Sequence, residues 1–193
     1  MEERVRGAGW KMRKNVLIIS VCRDKLHELE FVKPIEDILD RNNIGNFVRG
    51  YRDISDADFN ITSHIIICGT SLMDNNFMKD IEMFGWLRDC KKPVLGICAG
   101  MHIVGAVFGG KFLCGKEIGY YHERFEKEFL GLLGEREVWH LHNNYISGWD
   151  DFNILCKSGK IVQAVKCKKM EIYCVLFHPE VRNKEIILEF VGK

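Results

Sequence analysis

The residue with the most informative surroundings is Cys98, which lies in the segment Gly96-Ile97-Cys98-Ala99-Gly100. Glycines two residues before and two after a reactive side chain are typical of a nucleophile elbow, where a strand turns sharply into a helix. A thiol at a helix N-terminus is favoured as the thiolate by the unpaired amides and the helix dipole. The same amides can bind an oxyanion. A buried structural cysteine would give the same five residues, so the rest of the chain must decide between the two.

A second group of chemically active residues is His178-Pro179-Glu180, which follows the apolar segment 172–177. Proline disfavours the helical region for the residue before it, so His178 is predicted to be extended. In an extended segment, residues two apart point the same way. The carboxylate of Glu180 can therefore accept a hydrogen bond from one imidazole nitrogen and leave the other for a nucleophile or substrate. A thiol nucleophile needs such a base and such an orienting group.

The first half of the chain contains the elements that must position these residues. Apolar runs predict four buried strands and helical spacing predicts three helices. The strands are expected at 16–22, 46–51, 64–68 and 93–97, the helices at 33–42, 76–90 and 101–108, and an acidic turn at 53–60. This order predicts an α/β domain with a mostly parallel central sheet and helices on both faces. Ligands of such sheets bind beyond the carboxyl ends of the strands, where Gly69-Thr70 and Cys98 both lie.

The second half is predicted to form a smaller part rich in β-structure. Short alternating segments separated by turn residues indicate strands at 138–147, 152–156, 161–166 and 172–177, with a last helix at 184–192. Residues 120–133 are interpreted as an aromatic strand edge followed by a short amphipathic helix. The chain is thus divided into an N-terminal extension, residues 1–14, and one domain, residues 15–193.

Composition excludes several classes of protein. A chain of 193 residues with 47% hydrophobic residues predicts a single globular domain. Its net charge of +1 gives no reason to expect nucleic acid or a membrane surface as a partner. The eight cysteines are scattered without a Cys-x-x-Cys pair, which predicts reduced thiols and a cytoplasmic protein. No apolar segment is long enough to span a bilayer.

The segments 96–101 and 177–180 together resemble the class I glutamine amidotransferases. Their order and spacing most resemble the subfamily of GMP synthetase glutaminase subunits. Further similarities are the turn at Gly69, Phe108-Gly109-Gly110-Lys111, Lys116-Glu117-Ile118-Gly119 and Val138-Trp139-His140-Leu141-His142-Asn143-Asn144. The resemblance implies the flavodoxin-like fold of class I glutaminases.

The resemblance also implies a reaction. Cys98 would attack the side-chain amide carbon of L-glutamine and form a thioester, His178 would shuttle protons, and Glu180 would orient His178. Glutamate and ammonia would be the products, without a cofactor or a metal. The ammonia would pass to a separate synthetase that acts in trans.

The same resemblance implies two further sets of residues. Backbone amides would hold the oxyanion, and side chains and backbone around the nucleophile would bind the substrate. The oxyanion set is Gly69, Thr70 and Ala99, and the substrate-binding set is His102, His140, Leu141 and His142.

Three positions depart from the family pattern. The family usually has Gln where His102 stands; an imidazole cannot present both faces of an amide, so glutamine affinity is expected to suffer. Thr70 occupies a turn that is usually Gly-Gly-Pro, and because threonine tolerates positive φ poorly, the oxyanion amide is expected to be misaligned or to form only with a partner. Asn144 replaces the Asp of a Ser-His-x-Asp segment, which predicts a different partner or different contacts.

His140 and His142 are two apart on a predicted strand, so both could face one metal ion, with His102 or Cys98 as further ligands. Because spacing places no third ligand, no metal is predicted. The remaining histidines, which show no pattern and are expected to be solvated or capping, are His27, His64 and His122.

Two alternative functions remain open on the sequence. The change at His102 is compatible with a free-standing hydrolase that cleaves a γ-glutamyl amide other than glutamine. Thr70 and His102 together are compatible with a binding or regulatory module that keeps the triad but has little turnover.

Overall fold

A computed structural model describes residues 14–193, so the predicted extension over residues 1–14 lies outside the described residues except for Lys14. The helices and strands follow in the order β1 (Asn15–Ser20), α1 (Glu28–Phe31), α2 (Lys33–Arg41), β2 (Gly45–Gly50), α3 (Asp56–Ile61), β3 (His64–Ile67), β4 (Val94–Ile97), α4 (Ala99–Val107), β5 (Lys111–Phe129), β6 (Leu132–Ser147), β7 (Phe152–Ser158), β8 (Ile161–Cys167), β9 (Ile172–Val175) and α5 (Glu185–Gly192). Short 3-10 helices lie at Lys25–His27, Asn76–Lys79 and Ile81–Arg88.

Seven strands form one sheet in the order β2-β1-β3-β4-β9-β8-β7. The first five pair in parallel, whereas β8 and β7 run antiparallel, so the prediction of a mostly parallel α/β sheet is confirmed. Strands β3, β4 and β9 are neighbours. The residues that follow these three strands therefore meet at one edge of the sheet, the usual place for a ligand in this kind of fold.

Apolar layers cover both faces of the sheet. Along β1, Val16 and Ile18 pack on one side and Leu17 and Ile19 on the other. The first side is covered by α2 and α5, and the second by α4 and the 3-10 helix Ile81–Arg88. Helices on both faces are thus confirmed. Among residues 14–193, no helix has the length and apolar character needed to cross a membrane.

Strands β5 and β6 form a separate two-stranded antiparallel hairpin. The prediction of a short amphipathic helix within residues 120–133 is wrong. Strand β5 continues to Phe129, and the chain then turns at Leu130 and Gly131, with φ of 46° and 85°. Phe125 and Phe129 are both buried, and their spacing of four imitates a helix. Residues an even number apart also share a face of a strand, so both rings lie on the inner face of the hairpin.

Two helical segments differ from the prediction. The helix expected at 76–90 consists of two 3-10 helices, the second with Ile81, Phe84 and Leu87 at the spacing of three that this helix type brings onto one face. The acidic turn expected at 53–60 contains α3. A capping box begins that helix, in which Ser55 and Asp58 each bond the other's backbone N–H.

His64 was expected to be solvated or capping, and it is buried at the start of β3. Its ring meets the edge of Phe190 at a centroid distance of 5.4 Å. Burial lowers the pKa of His64 to about 4, helped by the nearby positive charge of Lys14. The exposed His122 agrees with the expectation.

Candidate active site

Cys98 forms the junction between β4 and α4 and adopts φ 49° and ψ −101°. A Cβ atom on Gly96 would lie 2.8 Å from the carbonyl carbon of Gly100, and one on Gly100 would lie 2.3 Å from the carbonyl oxygen of Ile67. No side chain fits at such distances, so both glycines are required by the crossing of strand and helix. A cysteine at positive φ is strained, and such strain is concentrated at functional sites.

The segment after β9 places His178 beside Glu180. Nδ1 of His178 lies 2.6 Å from Oε1 of Glu180, and both residues are buried. The backbone N–H of His178 donates to the carbonyl of Trp139 at 2.9 Å, which anchors the segment to β6. Within the described residues, Nε2 of His178 makes no hydrogen bond of normal geometry. One ring nitrogen is therefore fixed by a carboxylate while the other is available.

Charges around His178 favour its protonated form. Burial opposes a charged imidazole, but the carboxylate of Glu180 and the side chain of Cys98 outweigh it and hold the pKa of His178 well above its ordinary value. A Cβ on Gly69 would lie 2.6 Å from Cε1 of His178 and 3.4 Å from Cβ of Cys98. The turn after β3, the elbow and the histidine are thus in direct contact, as the strand order requires.

The turn at Thr70 is held by a buried carboxylate. The Thr70 hydroxyl donates to Oδ2 of Asp74 at 2.9 Å, and the same oxygen accepts from the backbone N–H of Arg23 at 2.6 Å. Thr70 lies outside the positive-φ region, so the strain expected from threonine at this position does not arise. Sequence reasoning missed Asp74, because its contact with the Arg23 amide is made only in the folded chain. Ala99 is the first residue of α4, where a helix leaves its backbone N–H without an intrahelical partner.

A narrow cleft opens beside the nucleophile. Of the predicted substrate-binding residues, three line it together with Cys98 and Thr70, namely His102, Leu141 and His142. The carbonyl oxygen of Leu141 lies 3.7 Å from Sγ of Cys98. His140 does not reach the cleft, because its fully buried ring points into the hairpin and contacts Glu123.

His102 uses its one N–H inside the protein. Nε2 of His102 donates to the carbonyl oxygen of Asn144 at 3.0 Å. Burial is the main cause that lowers the pKa of His102 to about 4, so the ring is neutral at ordinary pH. A neutral imidazole has a single N–H. His102 therefore offers a ligand in the cleft no hydrogen-bond donor.

Behind the cleft, His140 and His142 lie with Glu117 in a buried group. The third member of this group is Glu117, and not His102 or Cys98 as considered from the sequence. The register of the hairpin explains it, because Glu117 pairs directly with His142 across the two strands. A spacing argument along one strand cannot show such a partner.

Residues 46–190 match the profile of the family described as glutamine amidotransferase class-I. The chain belongs to this family. It is accordingly a glutamine amidotransferase, as the resemblance of the elbow and the His-Pro-Glu segment implied.

Individual relatives of this glutamine amidotransferase agree with that assignment. GMP synthase [glutamine-hydrolyzing] from Staphylococcus epidermidis is 36% identical over 99 residues, which cover 48% of this chain and 19% of the synthase; the match to the Staphylococcus aureus protein is also 36% over 99 residues. A Thermoplasma acidophilum protein, described as one of the subunits of a GMP synthase, has a similar fold, with a TM-score of 0.82, 22% identity and 93% of both chains covered. A glutamine amidotransferase from Thermotoga maritima follows with a TM-score of 0.71, 17% identity, and 90% and 79% of the two chains covered.

Proposed function

We propose that this amidotransferase is a glutaminase that hydrolyses L-glutamine to glutamate and ammonia through Cys98, His178 and Glu180, and supplies the ammonia to a separate synthetase that resembles GMP synthetase. The observation that carries the proposal is the contact between three strand ends. A strained cysteine at a helix N-terminus, a buried imidazole–carboxylate pair and a glycine turn lie against one another there.

In the proposed reaction, Sγ of Cys98 attacks the amide carbon of glutamine as a thiolate. The imidazolium of His178 then protonates the leaving nitrogen, the C–N bond breaks, and ammonia and a thioester result. Neutral His178 next takes a proton from water, which attacks the thioester carbon, and the C–S bond breaks to give glutamate and the thiolate–imidazolium pair. Glu180 keeps Nδ1 of His178 protonated and the ring in place throughout.

Both steps pass through an oxyanion. We assign its donors to the backbone N–H groups of Ala99 and of the Gly69-Thr70 turn. Asp74 supports this assignment, because it fixes the turn through the Thr70 hydroxyl and the Arg23 amide. A donor of this kind contributes roughly 3–4 kcal/mol to other oxyanion holes.

The proposal of a partner in trans rests on the relatives. The chain matches 19% of the length of the staphylococcal GMP synthases, whose name includes glutamine hydrolysis. The Thermoplasma acidophilum protein, which this chain covers over 93% of its length, is described as one subunit. Both observations support a glutaminase unit that works with a distinct acceptor-activating unit.

One observation favours a second candidate, a hydrolase of γ-glutamyl amides other than glutamine. The N–H of His102 donates to Asn144 and so is not offered to the primary amide of a substrate. A substituted γ-glutamyl amide has one N–H fewer to satisfy than a primary amide, and would lose less in a cleft with few polar partners.

A glutamine-like diazoketone tests the proposal, because it alkylates only a nucleophile that recognises the glutamyl group. Intact-mass analysis should show one adduct, located on Cys98 and absent from the exposed Cys114. Ammonia release from glutamine should follow, and should rise when a candidate synthetase is added. Failure to label Cys98 even with the synthetase present would overturn the glutaminase. Faster hydrolysis of γ-glutamyl alkylamines than of glutamine would establish the second candidate.

A further inference from the structure

The interior of the β5–β6 hairpin contains a buried polar cluster that the proposed reaction does not use. Its members are Glu117, Glu123, His140, His142 and Gln163, and each is at most 9% exposed. Gln163, from β8, donates to Oε2 of Glu117 at 2.8 Å and so connects the cluster to the main sheet. Buried groups of this kind must be paired or must bind a counter-ion.

The histidines of the cluster face more acceptors than neutral rings can satisfy. Both ring nitrogens of His142 face oxygens that can only accept, Nδ1 the carbonyl of Gly115 at 3.2 Å and Nε2 the Oε2 of Glu117 at 2.8 Å, whereas a neutral ring has one N–H. Nε2 of His140 lies 3.2 Å from Oε1 of Glu123, which favours a hydrogen there. With the hydrogen of His142 on Nδ1, the lone pairs of the two neutral rings are on Nε2 of His142 and Nδ1 of His140.

Both lone pairs face the same carboxylate oxygen. Oε2 of Glu117 lies 2.8 Å from Nε2 of His142 and 3.7 Å from Nδ1 of His140. Nδ1 of His140 is fully buried and has no hydrogen-bond partner within residues 14–193. In that tautomer three electron-rich atoms converge, and within residues 14–193 the one hydrogen-bond donor to any of them is the side chain of Gln163. The two positive charges of one divalent cation would balance the negative charges of Glu117 and Glu123, just as two additional protons on the histidines would.

The spacing of these atoms fits a small metal ion. Zinc binds histidine nitrogen and carboxylate oxygen at roughly 2.0–2.2 Å, which places neighbouring ligands of a tetrahedral site about 3.4 Å apart. The separations of 2.8 and 3.7 Å lie on either side of that value. Metal-bound histidines usually donate their other N–H to a carboxylate or a backbone carbonyl, and Glu123 and Gly115 supply one of each.

We propose that Glu117, His140 and His142 bind one divalent transition-metal ion of the zinc type. Two imidazoles and a carboxylate suit zinc and also cobalt or nickel, and they suit calcium or magnesium poorly. The ion ties β5 to β6 and, through Gln163, the hairpin to the main sheet. It also fixes His142 and the adjacent Leu141, both of which line the cleft beside Cys98.

Metal binding to the full chain tests this site directly, whatever reaction the chain catalyses. Chelator-stripped protein is titrated with Zn²⁺ against a chromophoric chelator, and with Co²⁺ followed by its visible absorption. We expect one ion per chain, no thiolate-to-cobalt absorption band, and unchanged binding in Cys98→Ser. Glu117→Gln should weaken binding by more than the ~10–100-fold that is typical of losing an outer partner, which is the loss expected for Glu123→Gln.

The matched control is His122→Gln, since His122 is on the same hairpin but exposed. It should bind the metal as the wild type does. If Glu117→Gln does not fold, X-ray absorption of the zinc-loaded wild type still decides, with two imidazoles and no sulfur expected around the ion. No binding at micromolar Zn²⁺, sulfur in the coordination shell, or loss of the ion in Cys98→Ser would overturn the proposal.

Discussion

Two buried histidine–carboxylate pairs in this molecule look alike and are predicted to do different chemistry. His178 and Glu180 approach to 2.6 Å, and His142 and Glu117 approach to 2.8 Å. The first pair follows β9, at the edge where the parallel strands end. The second lies across the hairpin, within a single antiparallel register.

The difference lies in the second ring nitrogen. Nε2 of His178 has no hydrogen-bond partner within residues 14–193 and is close to Cys98, so it can give up and take back a proton. Both ring nitrogens of His142 face oxygen acceptors, the carbonyl of Gly115 and Oε2 of Glu117, so neither nitrogen is free for a proton transfer. The same two residue types are thus proposed to make a proton shuttle in one region and a ligand set in the other. Distance between the partners does not separate the two cases.

The largest expected effect concerns the active site, where His178 lies beside Cys98. Replacing the nucleophile in Cys98→Ser should reduce glutamine turnover by at least about 10⁴-fold, because a serine hydroxyl is a far weaker nucleophile at neutral pH and loses the thiolate–imidazolium pair. Steady-state ammonia release measures it. The matched control is Cys114→Ser on the exposed face of the hairpin, which should retain wild-type turnover. Wild-type rates in Cys98→Ser would remove Cys98 from the reaction.

The next effect comes from Glu180→Gln, which should lower turnover by about 10²–10⁴-fold and leave residual activity. It should also change how stability depends on pH. Because the folded-state pKa of His178 is raised, its contribution to the free energy of unfolding is complete below the unfolded value of about 6.5 and is lost as pH rises through the folded value. The wild type should therefore exceed the variant in stability most near pH 6, and the difference should shrink at higher pH.

Urea unfolding of both proteins from pH 6 to pH 9 measures that difference, with about 1.4 kcal/mol expected for each unit by which the pKa of His178 falls in the variant. Glu117→Gln, in the polar cluster of the hairpin, is the control for this measurement. It should leave the pH dependence assigned to His178 in place. A stability difference between the wild type and Glu180→Gln that stays constant with pH would show that Glu180 does not hold the proton on His178.

The sequence predicted the active site far better than the polar cluster of the hairpin, for a physical reason. Gly96, Gly100 and Pro179 constrain the backbone within a few residues, so the positions of Cys98, His178 and Glu180 could be inferred from local rules. The mostly parallel sheet was predicted in a similar way, because most of its parallel strands are continuous apolar runs. The family resemblance then added the reaction that the local rules alone left open.

Contacts between residues that are far apart in the sequence could not be predicted from it. Glu117 meets His142 only through the register of the hairpin, and the spacing of four between Phe125 and Phe129 fits one face of a helix as well as one face of a strand. Asp74 was missed because its role depends on where the amide of Arg23, 51 residues earlier, is brought by the fold. Local patterns predict the backbone of this enzyme well, and non-local polar partners poorly.

A third prediction concerns the packing that holds the nucleophile. Gly100→Ala should destabilise the fold by about 3 kcal/mol, because the added Cβ would lie 2.3 Å from the carbonyl oxygen of Ile67 in β3. Gly85→Ala is the matched control, since a Cβ there meets no atom of residues 14–193 within 4 Å, and it should change stability little. Urea unfolding of both variants measures the difference. Equal stabilities would mean that the elbow can relax and that its glycines are not required by packing.

The smallest expected effect concerns His102, one of the residues that line the cleft. His102→Gln should lower KM for glutamine about fivefold, since a glutamine side chain has two N–H donors and can satisfy Asn144 while offering a second to the substrate, a bond worth about 1 kcal/mol. The value of kcat should stay the same, because residue 102 does not exchange protons in the proposed reaction. Steady-state kinetics separates the two parameters, and the same substitution at the exposed His122 should change neither. A higher KM in His102→Gln would show that the imidazole is itself the better ligand for the substrate, and would favour a γ-glutamyl amide other than glutamine.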